Sequence, residues 1–280
     1  MSLMRKTHLL LAAVLLFTLG CTSLFFYPQR EHVSNPAARL FLPENVFFKT
    51  SDGLALHGWF LKARDARGTV LVLHGNAENI STHASGVLWL VPEGFNVFIF
   101  DYRGYGRSEG RPTVAGVHKD ADAALETLFT MEGVNKDRIV VLGQSLGGAV
   151  AIYTLANSPH KGRIKALVIE SAFSSYRRIA REKTGQVCCT WPLQYPLSFT
   201  VNDRYSPVRW IGKISPTPVL ILHGEQDPVV PLHHGRILFD AALPPREFWE
   251  SATPGHIRSF ASEAVRRRLA AYLSMALSMP

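Results

Sequence analysis

The stretch Ile139-Val-Val-Leu-Gly143-Gln-Ser145-Leu-Gly147 decides the fold. Its first four residues are apolar and mostly β-branched, as a strand buried on both faces requires. Leu146 to Ala156 is small and apolar enough for a buried helix. Between them, Gly143-x-Ser145-x-Gly147 has the G-x-S-x-G form of a sharp strand-to-helix turn with serine at its tip. Glycine is needed on both sides because a Cβ there would meet the neighbouring strand or helix. This frame makes Ser145 a candidate nucleophile. It also puts the Leu146 amide, at the helix start, where an oxyanion would form.

Working outward, similar apolar runs recur. They lie at Val46–Thr50, Leu54–Leu61, Thr69–His74, Phe95–Phe100, Lys165–Ile169, Pro218–Leu222 and, more polar, Arg246–Glu250. Ser51-Asp-Gly53 joins the first two as a turn. Helix patterns lie between the runs: Val117–Met131 with Ala121, Ala124, Leu125, Leu128 and Phe129 on one face, Leu232–Ala241, and Ser259–Leu277. Alternating strand and helix predict an α/β domain with a largely parallel sheet and helices on both faces. Residues 176–215 interrupt that rhythm. The interval is aromatic and too long for an ordinary connection, so an inserted cap is expected.

A serine hydroxyl needs a base. Of eleven histidines, His256 alone has the expected chain order and loop, in Thr253-Pro-Gly-His256 between the last strand and the last helix. His223 reads as a strand-end structural group, and His233 and His234 as solvated residues at a helix head. Asp227, in the turn after Val219–Leu222, is the expected acid, with Glu170 as competitor and Glu225 turned elsewhere. In His74-Gly-Asn76-Ala77, the amide of Asn76 or Ala77 is the expected second oxyanion donor. Trp191, Tyr195 and Phe199 are candidate substrate-binding residues, with packing of the cap as the other role open to them. Lys161, Arg163, Lys165, Arg177, Arg178, Arg181 and Lys183 read as one basic cluster near the cap, either solvated or drawn to anionic lipid.

The amino terminus has a separate logic. Arg5 and Lys6 precede an uncharged run, Leu9 to Leu19, ending at Gly20-Cys21. That is a secretory leader, with cleavage before Cys21 and lipidation of its sulfur expected. An uncleaved signal anchor is the alternative, since a span needs roughly 20 residues. The expected division is a leader over 1–20, a tether over 21–43 and one domain over 44–280. The protein is expected to be exported and membrane-anchored, facing the periplasm or cell surface. The 280 residues are 47% hydrophobic and 19% charged, which excludes disorder. The net charge of +8 permits contact with anionic surfaces. No nucleic-acid partner, metal or other cofactor is expected. Cys188 and Cys189 fit no disulfide or metal spacing.

Taken together, Gly143–Gly147, His74–Asn79, Asp101-Tyr-Arg-Gly-Tyr-Gly-Arg-Ser108, Asp227 and Gly255-His256 resemble the α/β-hydrolase fold. Within it, the chain is most similar to membrane-anchored serine hydrolases with a short cap, the abhydrolase-domain depalmitoylases and bacterial lipoprotein esterases. The resemblance runs from about Asn45 to the carboxyl terminus. It implies a mostly parallel eight-stranded sheet and hydrolysis of an acyl ester or thioester through an acyl-enzyme. It also implies that Arg103, Gly104 and Gly106 brace the site from the loop after the fourth strand. The chain departs from the family's commoner His-Gly-Asn-Ala-Gly-Asn by having Glu78. That places a negative charge near the oxyanion loop and argues against a strongly anionic leaving group. A serine peptidase or amidase, and a non-catalytic membrane-anchored binding lipoprotein, remain the alternatives.

Overall fold

The apolar runs become the strands of one sheet: β1 (Glu44–Lys49), β2 (Ala55–Leu61), β3 (Gly68–Leu73), β4 (Phe95–Asp101), β5 (Ile139–Gln144), β6 (Ile164–Glu170), β7 (Val219–Gly224) and β8 (Arg246–Ser251). The computed structural model describes residues 25–279. The leader and Cys21 lie outside them, and among the described residues no helix is long and apolar enough to cross a membrane. The eight strands are ordered β1-β2-β4-β3-β5-β6-β7-β8. Only the β1–β2 and β2–β4 pairs are antiparallel. Among the described residues, the helices of six or more residues are α1 (Val114–Thr130), α2 (Leu146–Asn157), α3 (Tyr176–Gly185), α4 (Gln194–Phe199), α5 (His233–Ala241) and α6 (Glu263–Ser278).

The unbroken apolar runs have a simple cause. Successive strand residues point to opposite faces, and each face meets its own core. Leu71, Leu73, Ile139 and Val141 join α1 and α2 on one side. Val70, Val72, Val140 and Leu142 join Leu269, Leu273 and Leu277 of α6 on the other. The α1 stripe is as expected, and the helix starts on Thr113, whose side chain accepts from the Gly116 amide.

Three expectations change. The tether is no tether over its described part. Tyr27–Pro28 pairs in parallel with Ala77–Glu78, Phe26 and Ala38 are buried, and Arg30 donates to the Gly110 carbonyl at 2.9 Å. Residues 25–43 form a strap whose buried side chains and paired backbone fix it to the domain. The cap interval 176–215 also does not stand apart from the domain: Tyr176, Ile179 and Val201, like Ile211 and Ile214, are buried in the same core cluster as α2. Finally, the basic residues do not form one cluster. Lys161, Arg163 and Lys165 lie at the start of β6, and Arg177 to Lys183 lie past its far end on α3. Seven residues of strand, about 20 Å, separate the groups.

Candidate active site

Ser145 occupies the turn between β5 and α2 with φ 53° and ψ −116°. Such a conformation costs on the order of 1–3 kcal/mol, and close backbone packing holds it. A Cβ on Gly147 would lie 2.0 Å from the Leu73 carbonyl oxygen, and one on Gly143 would lie 2.5 Å from that of Gly147. The Ser145 amide donates to the Glu170 carbonyl at 2.8 Å.

Side chains from three loops meet here. Ser145 Oγ donates to His256 Nε2 at 2.9 Å, and His256 Nδ1 donates to Asp227 Oδ2 at 2.8 Å. The other Asp227 oxygen accepts from the amides of Val229 and Val230, both at 2.9 Å. Burial by itself would raise the Asp227 pKa. The His256 hydrogen bond and the two amides outweigh it and hold the carboxyl below its ordinary range. Glu170, the competing acid, faces elsewhere. Its carboxylate accepts from Gln144 Nε2 at 2.7 Å and from the Ser259 amide at 2.9 Å. Burial pushes its pKa up. Glu170 therefore ties the serine turn to the loop that carries His256. Glu225 is exposed, as expected.

The remaining histidines divide. His223 is buried and donates to the Val230 carbonyl at 2.8 Å, the structural role expected for it. His74 is buried against Tyr102 and His83, and burial lowers its pKa to about 3, so it is neutral. His234 is not solvated. The first turn of α5 directs it beneath α3, where Nδ1 accepts from the Ser174 amide at 3.1 Å and Nε2 donates to Glu182 at 3.0 Å. Among the described histidines, only His233 is exposed.

Ser145, Leu146 and Asn76 share the wall of a cavity of about 540 Å3. Leu146 opens α2, where the amide has no acceptor within the helix. The Gly75 carbonyl, in the peptide plane of the Asn76 amide, accepts from His74 Nδ1 at 2.7 Å, and the Asn76 carbonyl accepts from the Tyr27 amide at 2.8 Å and the Tyr105 hydroxyl at 2.7 Å, so the peptides on both sides of Asn76 are held. Phe173, Ile179, Val187, Leu197, Val201 and Val230 make the wall apolar, and Lys183 is its one charged side chain among the described residues. Trp191, Tyr195 and Phe199 are not part of it. They are 60%, 57% and 68% exposed. Arg181 lies over the Tyr195 ring and Arg177 over that of Phe199, on the outside of α4, whose other side brings Leu197 to the cavity. Phe25 and Tyr27 also line the cavity. No sequence signal marked them, because they belong to the segment read as a tether. On the other side of His256, a second groove of about 730 Å3 is lined by polar Glu78, His83 and Arg258 as well as Phe41 and Trp89. In the loop after β4, Arg103 pairs with Asp52 at 3.0 Å and with Asp120 at 2.8 Å, away from Ser145, and it is Tyr105 of this loop that reaches the Asn76 carbonyl.

Residues 64–206 match the Hydrolase_4 family, described as serine aminopeptidase, S33. The α/β hydrolase domain-containing protein WAV2 of Arabidopsis thaliana is 35% identical over 223 residues, covering 76% of this chain and 71% of that protein. The chain is an α/β hydrolase. Another relative is the uncharacterized protein YfhR of Escherichia coli (strain K12), 33% identical over 263 residues that cover 91% of this chain and 88% of YfhR. The Pyrococcus furiosus esterase Pf2001 shares the fold with a TM-score of 0.69 at 23% identity, covering 90% of this hydrolase and 98% of that chain.

Two clusters carry metal-ligating side chains, His32 with His57 and Asp101, and Glu182 with His233 and His234. Neither includes Ser145, His256 or Asp227. Spacing in the sequence could not reveal them, since His32, His57 and Asp101 are scattered along the chain and Glu182 lies 51 residues before the adjacent His233 and His234.

Proposed function

We propose that the protein is a serine hydrolase of acyl esters or thioesters that works through an acyl-enzyme. The observation that carries this reading is the chain Ser145–His256–Asp227, with Oγ opening on an apolar cavity. His256 takes the Ser145 proton as Oγ attacks the acyl carbonyl. Asp227 holds the imidazole in the tautomer that accepts at Nε2 and stabilises the imidazolium. The amides of Leu146 and Asn76 receive the oxyanion, each accounting for roughly 10²–10³ in rate by analogy with other serine hydrolases. His256 then protonates the leaving alcohol or thiol, water attacks the acyl-enzyme by the same route, and Ser145 is regenerated. The acyl chain fits the apolar cavity, and the groove beyond His256 is the side from which the leaving group departs. Pf2001 is an esterase by its description, which agrees with this reading.

Aminopeptidase action, suggested by the family description, is less well served. A free peptide amino terminus calls for a carboxylate in the cavity, whereas the charged side chain among its described lining residues is Lys183. We further propose that the amino terminus anchors the protein to a membrane through the leader or a lipid on Cys21. The exposed Trp191, Tyr195 and Phe199 beside Arg177 and Arg181 suit an interfacial position.

A fluorophosphonate probe should label the wild type at Ser145 and leave Ser145→Ala unlabelled. Hydrolysis of p-nitrophenyl esters should fall by at least about 10⁴-fold in that variant. Equal turnover by the two proteins, or faster cleavage of aminoacyl anilides than of esters, would overturn the reading. The anchor is checked separately by comparing incorporation of radiolabelled palmitate into wild type and Cys21→Ala. Equal label in both removes lipidation at Cys21.

A further inference from the structure

The strongest unused feature is a buried carboxylate ringed by imidazoles. Asp101 closes β4 and lies directly opposite His57 in the β2–β4 ladder. His32 reaches the same carboxylate from the strap, with Nε2 2.9 Å from Asp101 Oδ2. His57 Nδ1 lies 3.9 Å from that oxygen, beyond hydrogen-bond range. Both His57 and Asp101 are fully buried, and the His32 side chain is 12% exposed.

The hydrogen bonds fix the tautomer of His57. Its Nε2 donates to Asn45 Oδ1 at 2.7 Å, so Nδ1 is a bare lone pair. That lone pair is buried, has no hydrogen-bond partner and faces a carboxylate. Two electron-rich groups turned toward each other in a dry site call for a cation between them. A proton on Nδ1 would not bridge 3.9 Å. A metal ion bonded to each donor at roughly 2.0–2.1 Å in tetrahedral geometry sets donors about 3.3 Å apart, and the observed 2.9 and 3.9 Å straddle that spacing.

We propose that His32 Nε2, His57 Nδ1 and Asp101 Oδ2 form a binding site for one divalent transition-metal ion, zinc being the best match to two imidazoles and a carboxylate. The supporting contacts are those a metal site uses. The second nitrogen of His57 is held by Asn45, and the second oxygen of Asp101 accepts from the Ile80 amide at 2.9 Å. Two ligands stand on adjacent strands and are rigidly placed. The third comes from the strap, and the slight exposure of His32 leaves a path for the ion and for a water as fourth ligand. The ion would pin the strap to the sheet behind the His74–Asn76 loop. It takes no part in the chemistry at Ser145, so the proposal stands or falls apart from the esterase reading.

The test uses the full chain, stripped with chelator and given zinc chloride, then freed of excess metal. Bound zinc is counted by mass spectrometry, the melting temperature is followed, and cobalt(II) replaces zinc for an absorption spectrum. The expected result is one zinc per chain, a melting temperature raised by several degrees, and a tetrahedral-type cobalt spectrum. His32→Asn, at the site's exposed edge, and His57→Asn should each weaken binding at least ten-fold. Circular dichroism checks their folding, and His32→Asn alone suffices if His57→Asn does not fold. Glu182→Gln, in the other cluster, should bind as wild type does. No retained zinc, binding undiminished in His32→Asn, or loss of binding in Glu182→Gln would each overturn the proposal.

Discussion

Single residues in this protein act through what they hold in place. The Ser145–His256–Asp227 chain needs each member for a different property, so substitutions should have different effects. Asp227→Asn keeps the shape but favours the wrong histidine tautomer. Ester turnover should fall on the order of 10⁴-fold with little change in melting temperature, as measured by steady-state kinetics beside calorimetry. Glu170→Gln should act mainly on stability. The carboxylate accepts two N–H groups, and an amide would set its own NH2 against one of them. A loss of about 1–3 kcal/mol, read by urea denaturation, is expected. Ser145 was legible in the sequence because its turn is local, with strand, glycines and helix all in one continuous stretch, 139–157. His256 and Asp227 were legible from chain order. The brace formed by Glu170 was not, because its partners Gln144 and Ser259 lie 26 and 89 residues away and only the folded sheet brings them together.

At the scale of elements, the cap shows where aromatic content misleads. Rings in α4 drew attention as pocket residues, yet they stack with arginines on the outer face, while smaller aliphatic residues line the cavity. Enlarging the inner face should therefore alter specificity where trimming the outer face does not. Ile179→Trp or Leu197→Trp should shift the preferred p-nitrophenyl ester to shorter acyl chains. Trp191→Ala should leave chain-length preference unchanged on soluble esters. Comparing kcat/KM across a graded ester series checks both, and equal profiles for all variants would remove the cap from the acyl site. The strands and helices around the sheet, by contrast, were almost fully legible, because the central strands are apolar on both faces and α1 carries its buried residues on one stripe. Short helical turns over 80–90 escaped notice because no stripe is long enough to show a period.

Across the whole molecule, two features set the conditions under which it stays folded. His118 is buried between the rings of Tyr153 and Tyr205. Burial lowers its pKa to about 3 against an ordinary 6.5. Between those values the unfolded chain binds a proton that the folded chain refuses. Stability therefore declines as pH falls from about 6.5 toward 3, by up to about 1.4 kcal/mol per pH unit from this residue. His118→Phe should flatten that decline, as followed by urea denaturation at stepped pH. The strap is the second feature. Removing residues up to 43 exposes the surface that Phe26 covers, worth roughly 2–3 kcal/mol, and should lower the melting temperature measurably by calorimetry. It should also change ester preference, because Phe25 and Tyr27 stand in the cavity wall. That placement has an evolutionary consequence. The residues flanking a leader are ordinarily free to vary with the demands of export, whereas those around a nucleophile are not. On the reading proposed above, Phe25 and Tyr27 would belong to both groups, so a change selected for delivery would also reshape the cavity beside Ser145.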